Sequence, residues 1–162
     1  MASIREQIMQ LFKAKLETVT TSNGYNTDFS AVYRVKTTPL NQCSTPVMFI
    51  NEERQTVDTS GNLVNMGLCS CSLPVTVECW IKDDSTEKGT QVNSLVEDVV
   101  KAVYTNPQWE NSGGTKLAVD TIWRGDEPLL EFSSTKGFSY IGVVIVFEIL
   151  YRHKVGDLTA LA

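Results

Sequence analysis

The chain has 162 residues, of which 42% are apolar and 20% charged, with a formal net charge of −5 and a sequence pI near 4.9. This length predicts one domain, and the apolar content excludes a disordered chain, which could not bury enough surface to offset its ordering entropy. The acidic balance argues against retention of duplex DNA, because the protein's own charge repels the phosphates; a wall that DNA slides past is compatible with it.

The first predicted element is a helix from Ile4 to Val19, with Ser3 as N-cap and Glu6 three residues on as a capping box. Ile4, Ile8, Leu11, Phe12, Leu16 and Val19 form one apolar stripe at helical spacing, the pattern of a helix laid on a sheet. Ser22-Asn23-Gly24 ends it, and a short strand is expected from Phe29 to Lys36, stopped by Pro39.

Val47 to Val57 reads as a second strand, Asp58 to Asn62 as a polar turn, and Leu63 to Ile81 as the returning strand. In that strand Cys69, Cys71, Leu73, Val75, Val77, Cys79 and Ile81 share one parity, while Ser70, Ser72, Thr76, Glu78, Trp80 and Lys82 share the other. Period two with one apolar and one mostly polar face predicts a long hairpin whose tip projects from the core. Trp80 and Glu78 fall on the polar face, where an exposed aromatic signals an interface.

A second helix is predicted from Thr86 to Tyr104, capped by Asp84 or Ser85, with Val92, Leu95, Val96, Val99, Val100, Val103 and Tyr104 forming its apolar stripe. Asn93, Glu97, Asp98 and Lys101 mark its wet side. A loop from Trp109 to Gly114 precedes a strand from Leu117 to Arg124. Gly125-Asp126-Glu127-Pro128 reads as a turn, and Leu129 to Gly137 as irregular chain. The strongest strand signal runs from Ser139 to Arg152 and is apolar on both faces, which predicts a central strand or a face reserved for a partner. The tail from Lys154 to Ala162 has no periodicity. The expected fold is α+β over residues 1–162. A mainly antiparallel sheet of four to five strands carries two helices packed on one face and a long projecting β-hairpin.

Little in the chain speaks for catalysis. Its single histidine, His153, stands between Arg152 and Lys154 at a strand end and reads as a surface residue, far in sequence from Cys43, Cys69, Cys71 and Cys79. The cysteines read as reduced structural thiols, since Cys69-x-Cys71 lacks zinc-knuckle spacing and no export signal is seen. No phosphate-binding glycine motif or metalloprotease motif occurs, and no catalytic, cofactor or metal residue is assigned. The most apolar run, Tyr140 to Tyr151, contains Glu148 and is too short for the roughly 20 residues of a membrane span, so a cytoplasmic protein is expected. Glu148 itself needs a partner inside an apolar strand, either water at a sheet end or a group on a neighbouring subunit.

Four stretches, SIREQIMQLFKAKLETV, GYNTDFSAVYR, LPVTVECWIKDD and GVVIVFEILYRHKVGD, give nearly the whole chain a pattern that resembles the tail terminator (tail completion) proteins of long-tailed bacteriophages. The resemblance rests on element order rather than on a diagnostic residue. It implies a ring, usually hexameric, at the head-proximal end of the tail tube, which halts tube polymerisation and offers a docking face to the head connector while DNA passes through the lumen. The implied partners are other copies of the chain, the tail tube protein and the connector; the implied location is the virion, after assembly in the host cytoplasm. No catalytic residue is carried over, and the run of cysteines from Cys69 to Cys79 is a departure to which the resemblance gives no role. The candidate subunit-interface residues are Asp58, Gly61, Asn62, Glu78, Trp80, Glu148 and Arg152. Another neck or head-completion protein is the alternative within the same class, and a small enzyme the alternative outside it.

Overall fold

The computed structural model describes residues 2–58, 66–82, 87–132 and 139–161. In chain order the elements are α1 (Ile4–Leu16), β1 (Ala31–Arg34), β2 (Val47–Glu52), β3 (Thr56–Asp58), β4 (Leu68–Lys82), α2 (Lys88–Tyr104), β5 (Ala118–Phe132) and β6 (Ser139–Lys154). The fold is α+β, and its sheet has six strands rather than four to five. The order is β1-β2-β4-β6-β5, with β3 pairing β4 beyond the end of β2. All pairings are antiparallel except β1 with β2. That parallel pair is reached by the crossover through residues 35–46, about the length such a connection requires.

The sheet is built on β4 and β6, which pair without interruption from Leu68↔Lys154 to Lys82↔Tyr140. Because no bulge intervenes, odd residues of both strands share one face. Leu73, Val75, Val77, Cys79, Val143, Ile145, Phe147 and Ile149 are buried there, together with Ile4, Ile8, Phe12 and Leu16 of α1 and Leu95, Val99 and Val103 of α2. Each such side chain contributes about 1.5–3 kcal/mol on burial. Phe12 lies at the centre, 5.0 Å from the Trp109 ring and 6.0 Å from Phe147. Trp109 is fully buried with its polar edge satisfied: Nε1 donates to Thr121 Oγ1 at 2.8 Å, and the Thr121 hydroxyl donates to the Pro107 carbonyl.

α1 ends at Leu16, earlier than the stripe suggested, although Val19 is still buried. Ser3 caps it by accepting from the Glu6 N–H at 3.2 Å, but the Glu6 carboxylate does not return to the cap. It accepts instead from Arg34, which also bridges to Glu52, and Glu52 takes Arg5. This chain of alternating charges ties α1 to β1 and β2. The Arg34 hydrogen bond holds the Glu6 carboxyl below its ordinary pKa. The cap residues proposed for α2, Asp84 and Ser85, lie outside the described residues.

Two strand predictions need correction. The stretch from Val47 to Val57 is not continuous: residues 53–55 leave the ladder between β2 and β3. They do so opposite Pro74, whose carbonyl accepts from Glu53 N–H on that side and whose nitrogen therefore has no hydrogen to offer there. The Gly125–Pro128 turn and the irregular stretch after it are, as far as Phe132, the second half of β5. A register shift between Trp123 and Gly125 inserts one extra residue, and Gly125 takes a φ of 127° that a side chain would resist. Turn-forming composition is accommodated because β5 is an edge strand, where proline costs no ladder bond on the outer side. The C-terminal tail is irregular but tied down: Leu158 C=O accepts from Ile4 N–H, and Leu161 packs against the main core.

Candidate functional site

The face of the sheet opposite the helices carries most of the predicted interface residues. Its composition follows from parity in β4 and β6. At one end Val47, Phe49 and Trp80 are buried under Leu40, which arrives on a short 3-10 turn, with Tyr140 and Leu129 partly buried beside them. Trp80 is only 3% exposed, so it does not stand on a wet face. Its parity was legible, but its cover comes from a loop that periodicity cannot place. Room for the indole comes from Gly142, its cross-strand partner, where a Cβ would sit 2.5 Å from the Cys79 carbonyl oxygen and 2.7 Å from the Trp80 ring. Glu78 accepts from Trp80 Nε1 at 3.2 Å, from Asn51 at 3.0 Å and from Lys36 at 3.1 Å. Lys36 Nζ lies 4.7 Å from the Trp80 ring centre.

In the middle of this face Glu148 is partnered within its own chain. It accepts from Ser72 on β4 and from the Arg124 guanidinium on β5, with Nε at 2.7 Å from Oε2. Arg124 follows Ile122 by two residues and so shares its side of β5, and Ile122 pairs Glu148. The Ser72 hydroxyl, and then Arg124, hold the Glu148 carboxyl below its ordinary pKa. The expectation of an inter-subunit partner is therefore not needed to explain a carboxylate in this strand. Around it Ile122, Val144, Val146 and Leu150 are all half-buried, with no helix over them among the described residues.

At the far end Asp58 and Arg152 flank Ser70 in register across β3, β4 and β6. Both are exposed. The fold thus brings these two candidates to one face, separate from Glu78 and Trp80 at the opposite end. Gly61 and Asn62 lie outside the described residues.

The groups that suggest chemistry are arranged structurally. Cys71 and Cys79 are buried, Cys43 and Cys69 half-buried, and all four are free thiols. Burial pushes the Cys71 and Cys79 thiols upward, with Asp98 adding to the effect at Cys79. His153 is buried rather than superficial: it pairs Cys69 across the ladder, and its Nδ1 lies 2.8 Å from the Lys154 carbonyl. That carbonyl can only accept, so Nδ1 carries the proton. Among the described residues no group of three or more His, Cys, Asp or Glu side chains could hold a metal ion.

Asp98, assigned to the wet side of α2, is fully buried. Its two oxygens accept from the Asn26 N–H at 2.9 and 3.0 Å, and Oδ1 also accepts from the Asn26 amide. The only signal was an acidic residue beside the apolar stripe, since the loop lying over it is distant in sequence. Among the described residues no helix is long and apolar enough to cross a membrane. No protein-family model matches the chain, and no curated protein matches it at a significant level.

Proposed function

We propose that this chain is a structural assembly protein of a phage virion. In this reading it forms a ring that caps the head-proximal end of the tail tube, stops tube polymerisation and presents the docking face for the head connector. The observation that carries the reading is the open sheet face, where Ile122, Val144, Val146 and Leu150 lie half-buried around an internally neutralised Glu148. A surface of this kind is suited to burial against a protein neighbour and offers no reacting groups. The sequence resemblance supplies the identity of the neighbours: further copies of the chain, the tube protein and the connector. In this reading the helices cover the other face, and the hairpin expected around Asp58 to Asn62, whose tip lies outside the described residues, reaches the next subunit and continues its sheet by edge pairing. Repeated head to tail, such a contact closes into a ring, a hexamer on the tube.

Charge reversal at Glu148 is a poor probe, because it would set two cations together inside the chain. Val146→Asp combined with Leu150→Asp places charge on the open face without touching the buried core. The double variant should keep the wild-type circular dichroism spectrum and remain monomeric in sedimentation with tail tubes, whereas wild-type protein sediments with them as a ring. Equal assembly by the variant would remove the open face from the contact.

A further inference from the structure

A second surface lies on the opposite side of the sheet, where α2 leaves part of β5 uncovered. A groove of about 600 Å³ runs between them, floored by Val96, Val100 and Trp123 and rimmed by Glu97, Asp126 and Lys101. Trp123 is 40% exposed, whereas Trp80 and Trp109 are buried. Lys101 is committed elsewhere: its Nζ donates to the Gly24 carbonyl at 2.7 Å and sits 5.0 Å from the centre of the Tyr25 ring. With Lys101 held there, the carboxylates of Glu97 and Asp126 outnumber the single rim cation, and the rim is acidic in balance.

The edge of β5 beside this groove is closed to strand addition. The Trp123 N–H donates to the Tyr104 hydroxyl oxygen at 3.1 Å, the Val119 carbonyl accepts from Gln108, and the Thr121 N–H is taken by Asp120. Side chains thus satisfy the groups that an added strand would use, and Pro128 follows in the same strand. An occupant must bind through its side chains, not its backbone. An apolar floor beside a helix, with an acidic rim and a blocked edge, fits a helix that carries its own cations.

We propose that the groove between α2 and β5 docks a basic amphipathic helix of a partner protein, its apolar stripe on Val96, Val100 and Trp123 and its cations against Glu97 and Asp126. This surface is separate from the open sheet face and does not depend on the ring reading.

Trp123 is the tryptophan that a collisional quencher can reach, so it reports directly on occupancy. The full-length chain is titrated with a synthetic helix of about four turns bearing leucine at every third or fourth position and lysine elsewhere, and with its counterpart bearing glutamate for lysine. The lysine peptide should shield Trp123 from acrylamide and shift its emission to the blue; the glutamate peptide should do neither. Glu97→Lys with Asp126→Lys should weaken shielding by about tenfold or more. Glu17→Lys with Glu53→Lys, which changes net charge equally at a distance, should leave affinity within about twofold. The proposal is overturned if neither peptide shields Trp123, if both shield it alike, or if the distant pair weakens shielding as much as the groove pair.

Discussion

At Gly142 the absence of a side chain decides the packing of one end of the sheet. Trp80 could turn inward only because its cross-strand neighbour presents bare backbone, and the Cys79 carbonyl stands where a Cβ would go. Gly142→Ala should therefore cost about 2–3 kcal/mol, read as a lowered urea midpoint, and should red-shift the emission of Trp80. An unchanged midpoint would mean that the two strands can separate without penalty. The thiols make a second residue-scale prediction. Cys43 and Cys69 are half-buried, while Cys71 and Cys79 are buried and held protonated by burial. A thiol reagent should modify Cys43 and Cys69 first in native protein and reach the other two only on unfolding. Fast modification of all four, resolved by mass spectrometry of peptides, would contradict the burial. Parity in the sequence was enough to place Cys71 and Cys79 in the core. It could not place Asp98, because the loop at Asn26 that lies against it is distant in the sequence.

Among the elements, β4 and β6 were the most legible as strands, while their pairing was not. Strict alternation in β4 puts its odd residues on the core face, and a slip by one residue would expose them; β6, apolar on both faces, left its partner and register open. β5 was the least legible. Its second half opens with glycine, two acids and proline, a composition that marks a turn when judged locally; only its edge position and the bulge at Gly125 make it a strand. On the open face Glu148 accepts from Ser72 and from Arg124, so one carboxylate links β4, β5 and β6. Its folded pKa lies below the unfolded value of about 4.5. The unfolded chain then binds more protons in that window, and the link's contribution to stability is fully present above it and lost as pH falls through the folded pKa. Glu148→Gln should lower the denaturant midpoint at neutral pH, and the difference from wild type should shrink on acidification below the ordinary carboxylate range. A difference that persists undiminished in acid would show that the ionised carboxylate is not what matters there.

For the molecule as a whole, side chains of both helices share the main core with the odd-numbered residues of β4 and β6, while the even-numbered side is half-apolar in the middle and charged at one end, with Asp58 and Arg152 in line across three strands. The doubly apolar character of β6 signalled this face in the sequence, while the strand count and the internal partner of Glu148 required the fold. The face is the reason for reading the chain as one that works by assembly, and the net charge of −5 suits a ring that DNA traverses without adhering. The most direct test of that reading is electron microscopy of particles from a phage in which the gene for this chain is disabled. The ring-cap function predicts tail tubes that overrun their normal length and heads that lack tails, with both defects corrected by the wild-type chain and not by Val146→Asp with Leu150→Asp. Tails of normal length joined to heads in its absence would contradict it.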